Sequence, residues 1–159
     1  IYTFTAGEIR GVIFGAWDEH NLYLAFRFHQ RIPEFYFQLD MDDDGWFVGK
    51  DNYQVSVAFT DGKWRLADAW THNCAEMKRW PFRDDNLSKD MNVQLAGSVH
   101  DSLYEVELTI PKREEVGLDL QAAEVIGLTV NCLLEENTDK WVSAFEPYRF
   151  FEITLAESE

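Results

Sequence analysis

Strict alternation of apolar and polar side chains dominates this chain and restricts most of it to strands with one buried face. Within residues 22–29, Leu22, Leu24, Phe26 and Phe28 fall on one side. Within 53–60, Tyr53, Val55, Val57 and Phe59 oppose Gln54, Ser56 and Thr60. Within 104–110, Tyr104, Val106, Leu108 and Ile110 alternate with Glu105, Glu107 and Thr109. A period of two puts the first set against a core and the second in water. Weaker alternation covers 8–17, 35–40, 63–70, 93–99, 125–134 and 149–155, with turn-forming runs such as Asp18-Glu19-His20-Asn21 and Asp61-Gly62-Lys63 between several of them.

About nine or ten short strands with little helix predict an all-β fold, an antiparallel β-sandwich of two packed sheets. One short helix is expected at Pro111, which suits a first helical turn, running through 112–115 and stopping at Gly117. With 159 residues, no internal repeat and no linker, the chain reads as one domain over 1–159. It opens Ile1-Tyr2-Thr3 without Met and reads as a piece of a larger protein.

Charge narrows the partners. There are 29 acidic and 14 basic side chains, a formal net charge of −15, which repels phosphate backbones and anionic lipid. No apolar run approaches the ~20 residues that span a bilayer. Nucleic acid and membrane are therefore not expected as partners. Cys74 and Cys132 are too few for a disulfide framework. They either pair or, given the apolar run around Cys132, leave a buried thiol.

The sharpest local motif is Asp40-Met41-Asp42-Asp43-Asp44-Gly45-Trp46-Phe47-Val48-Gly49-Lys50-Asp51. Calcium takes six to eight oxygens at roughly 2.3–2.6 Å, and alternate carboxylates around a Gly-permitted turn supply them. Asp40, Asp42 and Asp44 are the side-chain candidates, Trp46 offers its carbonyl, and Asp51 closes the set. The flanks 35–39 and 53–57 read as strands, so the loop joins two strands and is no helix–loop–helix site. A solvated acidic hairpin is the alternative, but four Asp within five positions repel one another without a cation. The expected role of calcium is structural, since no nucleophile or base is nearby.

Four ordered segments resemble the family 9 carbohydrate-binding modules and their DOMON-like relatives. They are Ala16-Trp17-Asp18-Glu19-His20-Asn21-Leu22-Tyr23-Leu24-Ala25-Phe26, then Phe37-Gln38-Leu39-Asp40-Met41-Asp42-Asp43-Asp44-Gly45-Trp46-Phe47, then Tyr104-Glu105-Val106-Glu107-Leu108-Thr109-Ile110-Pro111, then Val125-Ile126-Gly127-Leu128-Thr129-Val130-Asn131. The match runs through roughly residues 11 to 155. The resemblance implies a calcium-bearing β-sandwich attached to other domains of a bacterial glycan-active or surface protein, located outside the cell, in the periplasm or on the surface. In sugar-binding members it implies a cleft where aromatic rings clamp a terminal sugar.

The resemblance does not itself assign the clamping rings. Sugar C–H faces stack on flat aromatic surfaces beside polar groups that read the hydroxyls. Tryptophans in polar, loop-like settings are the candidates: Trp70, Trp80 and Trp141, with Asn73, Arg79, Asn137 and Asp139 as polar partners. Trp17, Trp46 and Trp64 sit at a strand end, in the acidic loop and at a strand start, and are less available.

Other chemistries find less support. Glu105 and Glu107 share a strand face, and retaining glycosidases hold two carboxyls ~5–5.5 Å apart, but this strand lacks the additional acids and aromatics and reads as solvent-facing. There is no Gly-x-Ser-x-Gly elbow, no Cys–His context, no phosphate loop and no zinc spacing among His20, His29, His72 and His100. An enzyme is not expected. The b-type haem of some DOMON-like domains needs two axial ligands; Met77, Met91, His72 and His100 are of suitable type, Met41 less so, and no spacing singles out a pair. A structural or protein-interaction module of an extracellular protein is the alternative to sugar binding.

Overall fold

A computed structural model of the chain describes residues 1–45, 49–72, 92–114, 117–136, 138–144 and 150–156, the side chains of residues 50 and 70–72 excepted. Every alternating run becomes a strand. The elements are β1 (Tyr2–Ala6), β2 (Ile9–Trp17), β3 (Asn21–Phe28), β4 (Glu34–Asp40), β5 (Gly49–Thr60), β6 (Lys63–His72), β7 (Gln94–His100), β8 (Leu103–Pro111), β9 (Val125–Leu133), β10 (Trp141–Ser143) and β11 (Phe151–Thr154). All named pairings are antiparallel.

One sheet runs β1-β2-β3-β8-β7; the other runs β10-β9-β4-β5-β6, with β11 pairing β9 beside β10. Both central strands are aromatic on their inner face. Phe26 of β3 meets Phe35 and Phe37 of β4 at ring-centroid distances of 4.9 and 5.2 Å, and Phe28 meets Phe35 at 5.1 Å. All four rings are buried. Each contributes about 1.5–3 kcal/mol by leaving water, and the inter-sheet ring contacts add to that. This is the cohesion of a two-sheet sandwich.

The strand count exceeds expectation by one or two, because β1 and β10 are short. The short helix expected after Pro111 starts later than expected: Glu114 begins a 3-10 turn, with Gly117 N–H donating to its carbonyl at 3.2 Å. Pro111 ends β8 opposite Asn21. Arg113 and Leu118 then exchange reciprocal backbone hydrogen bonds, each 3.1 Å, around Gly117 at φ 93°. A chain closed back on itself over so few residues has room for one tight 3-10 turn and not for a ladder of α-helical bonds. Cys132 is a free, buried thiol whose pKa burial pushes up to about 12; Cys74 lies outside the described residues.

The sandwich is sealed on one side where β6 meets β7. Trp64, 7% exposed, inserts against Gly97. A Cβ at Gly97 would collide with the Trp64 ring and come within 2.9 Å of the Glu105 carbonyl oxygen. Gly97→Ala should therefore destabilise the domain by about 1–3 kcal/mol through overpacking, read as a fall of about 2–4 °C in Tm per kcal/mol for a domain of this size. An unchanged melting curve would mean that Trp64 does not need this close approach.

Candidate functional site

Because Phe35, Phe37 and Leu39 point inward from β4, its other side chains must face outward. Glu34, Tyr36, Gln38 and Asp40 therefore line the outer face of the six-stranded sheet. Register extends each into a row. Tyr36 stands between Asn131 of β9 and Ser56 of β5, with Ser143 beyond Asn131 and Asp68 beyond Ser56. Gln38 stands between Thr129 and Gln54, and Gln54 pairs in register with Trp70. Asp40 stands between Gly127 and Asn52. Three adjacent rows thus carry hydroxyls, amides and carboxylates on a face where solvated charge is commoner.

Much of this floor is shielded. Ser56 and Thr129 are buried, and Tyr36, Gln38, Gln54, Asp68 and Asn131 are half-buried. Gln38 Nε2 donates to Gln54 Oε1 at 3.2 Å. Burial holds the Tyr36 hydroxyl and the Glu34 carboxyl above their ordinary pKa values. At the β10 edge Trp141 packs on Tyr36, with centroids 5.0 Å apart and planes at 57°, yet stays 37% exposed. Among the described side chains, its ring offers exposed aromatic surface beside the polar floor.

The last row ends in the acidic loop. Asp40, Asp42, Asp44 and Asp51 each offer a carboxylate oxygen, and these atoms lie within 4.8 Å of one another, so the cluster could hold a metal ion. The turn is made by Asp43 at φ 52° and Gly45 at φ 81°, and Gly45 N–H donates to Asp40 Oδ2 at 2.8 Å. Met41 N–H donates to the Asp51 carbonyl, tying the two ends of the loop together. Asp40 is fully buried and its Oδ1 has no donor. Burial, followed by repulsion from Asp44, Asp51 and Asp42 and partly offset by the Gly45 N–H, pushes the Asp40 pKa up to about 7. Burial and the neighbouring acids raise Asp51 likewise. An orphaned buried carboxylate oxygen among three more carboxylates fits a hard, oxygen-seeking cation.

The expected metal-ligating side chains are thus brought together, while Trp46 lies outside the described residues. The sugar candidates fare less evenly. Trp141 is on β10 beside the floor, and Asp139 is exposed just before it. The Trp70 backbone lies on β6 in the Gln54 row, and its side chain lies outside the described residues. Asn73, Arg79, Trp80 and Asn137 also lie outside them, as do Met77 and Met91. Sequence reasoning overlooked Tyr36, Gln38, Gln54, Ser56, Asp68 and Asn131. Their signal was the polar half of each alternating strand, read only as solvated surface. Glu105 accepts from Arg27 Nε at 2.6 Å on the outer face of the other sheet, consistent with a surface pair. Met41 is buried, and His100 is exposed at the end of β7.

No protein-family model matches this chain, and no curated protein matches it in sequence. Among solved structures it is similar to two of a family 9 carbohydrate-binding module from Caldicellulosiruptor kristjanssonii, one in complex with cellotriose and one with glucose. Both give a TM-score of 0.64 and cover 98% of this chain; identity is 12% and 13%, over 79% and 81% of the other chain. The chain is thus an all-β sandwich of the family 9 carbohydrate-binding-module fold. No helix among the described residues is long and apolar enough to cross a membrane.

Asp40 gives the cation-free protein a defined pH dependence. Its folded pKa, about 7, lies above the ordinary carboxylate value of 3.8, so the folded state holds the extra proton between those limits. That contribution to stability is fully present below the unfolded pKa and is lost as pH rises through about 7. In chelator, Tm should therefore fall by several degrees from pH 5 to pH 8, and added calcium should remove most of the fall. A chelated protein equally stable at both pH values would show that Asp40 ionises without penalty.

Proposed function

We propose that this domain is a non-catalytic carbohydrate-binding module that holds a structural calcium in the Asp40–Asp51 loop and binds sugar on the outer face of the six-stranded sheet. The observation that carries the reading is the shielded floor of amides and hydroxyls from β9, β4 and β5 with Trp141 at its edge. A pyranose needs both parts: an aromatic plane for its C–H face, and paired donors and acceptors for its hydroxyls. Trp141 supplies the plane. Tyr36, Gln38, Gln54 and Asn131 supply groups able to donate and accept, and Asp68 supplies an acceptor. Trp70, one row from Tyr36, is the candidate for a second ring. The glucose and cellotriose complexes of the Caldicellulosiruptor module support the choice of ligand class.

Asp40, Asp42, Asp44 and Asp51 would hold the calcium. The ion would supply charge neutralisation there, fixing the β4–β5 connection. Attached to a secreted or surface-bound catalytic or scaffold chain, such a module raises that chain's effective concentration at a glycan. Asn73, Arg79, Trp80, Asn137 and Asp139 remain proposed contributors from the flanking connections.

Calorimetric titration with glucose and cello-oligosaccharides in calcium tests the reading. Saturable binding is expected in the wild type, and Trp141→Ala should weaken it by at least about tenfold, or about 1.4 kcal/mol. Its Tm should change little, because the ring is partly exposed at a sheet edge. Chelation should also weaken binding, since Asp51 and Gln54 lie on the same strand. If a folded, calcium-loaded domain binds none of these sugars, the carbohydrate reading fails for this ligand class.

A further inference from the structure

Asn52 is 2% exposed, and its two polar atoms have different fates. Nδ2 donates to Asp51 Oδ2 at 2.9 Å, whereas Oδ1 is buried without a donor. A carboxylate oxygen only accepts, so the amide nitrogen belongs on the Asp51 side and the flipped amide is ruled out. The oxygen is bonded to the same carbon as that nitrogen and stays within a few ångströms of the Asp51 carboxylate. Across the β4–β5 ladder, Asn52 stands directly opposite Asp40, whose Oδ1 is also buried without a donor. Two residues paired in register on one face of the sheet thus each carry a buried acceptor oxygen with nothing to accept from. Each would cost about 1–3 kcal/mol if left so.

A cation answers both at once. Four carboxylates already exceed the charge of a divalent ion, and a fifth would add repulsion; a neutral amide oxygen raises the coordination number without adding charge. The backbone is shaped around this pair. Register shifts between Gly49 and Tyr53, and a Cβ at Gly49 would collide with Asp51 Oδ1 and come within 3.2 Å of Asn52 Nδ2. A bulge re-aims side chains in this way and lets consecutive residues serve one site.

We infer that Asn52 is a ligand of the cation held by Asp40, Asp42, Asp44 and Asp51, coordinating through Oδ1 while Nδ2 orients the Asp51 carboxylate. The inference rests on the proposed cation site. Calcium titration of wild type, Asn52→Leu and Asn52→Asp tests it, together with terbium luminescence lifetimes in H2O and D2O, which count the waters on the bound ion. Leu fills the same volume without an oxygen. It should weaken calcium by about tenfold or more and add one water to bound terbium. Asp keeps an oxygen in place and loses the Nδ2 donor, so it should retain the wild-type water count.

If Leu binds calcium as the wild type does, Asn52 is no ligand. If Asp gains a water as well, Nδ2 acts only by positioning Asp51, and the inference is again overturned. Should the Leu variant fail to fold, Asn52→Ala, which also removes the oxygen, takes its place and should likewise add one water to bound terbium; an unchanged count in Ala overturns the inference. A wild type that binds neither calcium nor terbium would overturn the cation site itself, an outcome separate from these.

Discussion

The pleat of β4 is the constraint on which both the core and the site depend. It is the middle strand of its sheet, hydrogen-bonded to β9 on one side and β5 on the other. Phe35 and Phe37 must reach the rings of Phe26 and Phe28 across the sandwich, and with that register set, Tyr36, Gln38 and Asp40 have only the outer face available. A slip of one residue would exchange the two sets and bury a carboxylate among phenylalanines. The aromatic core therefore does more than hold the sheets together. It determines, to the residue, where the polar groups of the outer face stand.

The same strand connects the two halves of the site. Asp40 is the last outward residue of β4 and begins the acidic loop; Gln38 precedes it by one pleat and belongs to the floor. On β5 the corresponding residues are Asn52 and Gln54. The positions paired with the loop carboxylates and those of the floor are thus neighbouring rungs of one ladder. Repulsion among Asp40, Asp42, Asp44 and Asp51 acts on the rung next to Gln38 and Gln54. Gly127 completes this junction from β9. A Cβ there would crowd the Cβ atoms of Phe150 and Asp40, at 2.8 and 3.0 Å, so the only side chain that fits beside Asp40 is none.

Much of this fold was legible in the sequence because burial of one face writes itself into alternation. The runs at 22–29, 53–60 and 104–110 became β3, β5 and β8 with their inward residues as read. The five residues of β1 and three of β10 are too few for a period of two to stand out, although Phe4 and Ala6 do alternate with Thr3 and Thr5. Pro111 ends β8 instead of opening the helical turn at Glu114, because a residue without an N–H suits a strand's end as well as a helix's start. The acidic loop was legible because its carboxylates are close in sequence. The floor was not, because Asn131, Tyr36, Ser56 and Asp68 come from four strands and meet only through register. Asn52 was hidden for the same reason: its significance lies in facing Asp40, twelve positions earlier.

Polar neighbours in the sequence mark Trp70, Trp80 and Trp141 as candidates for accessible rings. Trp141 satisfies that argument only in part. It sits at a sheet edge, where Tyr36, a residue distant in sequence, supports its ring. A ring held on one side by another aromatic loses little freedom when a ligand covers the other, so the entropic cost of ordering it is already met in the folded protein. The same holds for Gln38 and Gln54, each orienting the other's amide. The outer face is thus pre-organised by contacts made within the sheet, and a polyhydroxylated ligand would meet groups that need little rearrangement. An edge ring and a polar floor assembled by strand register leave no local signature in the sequence.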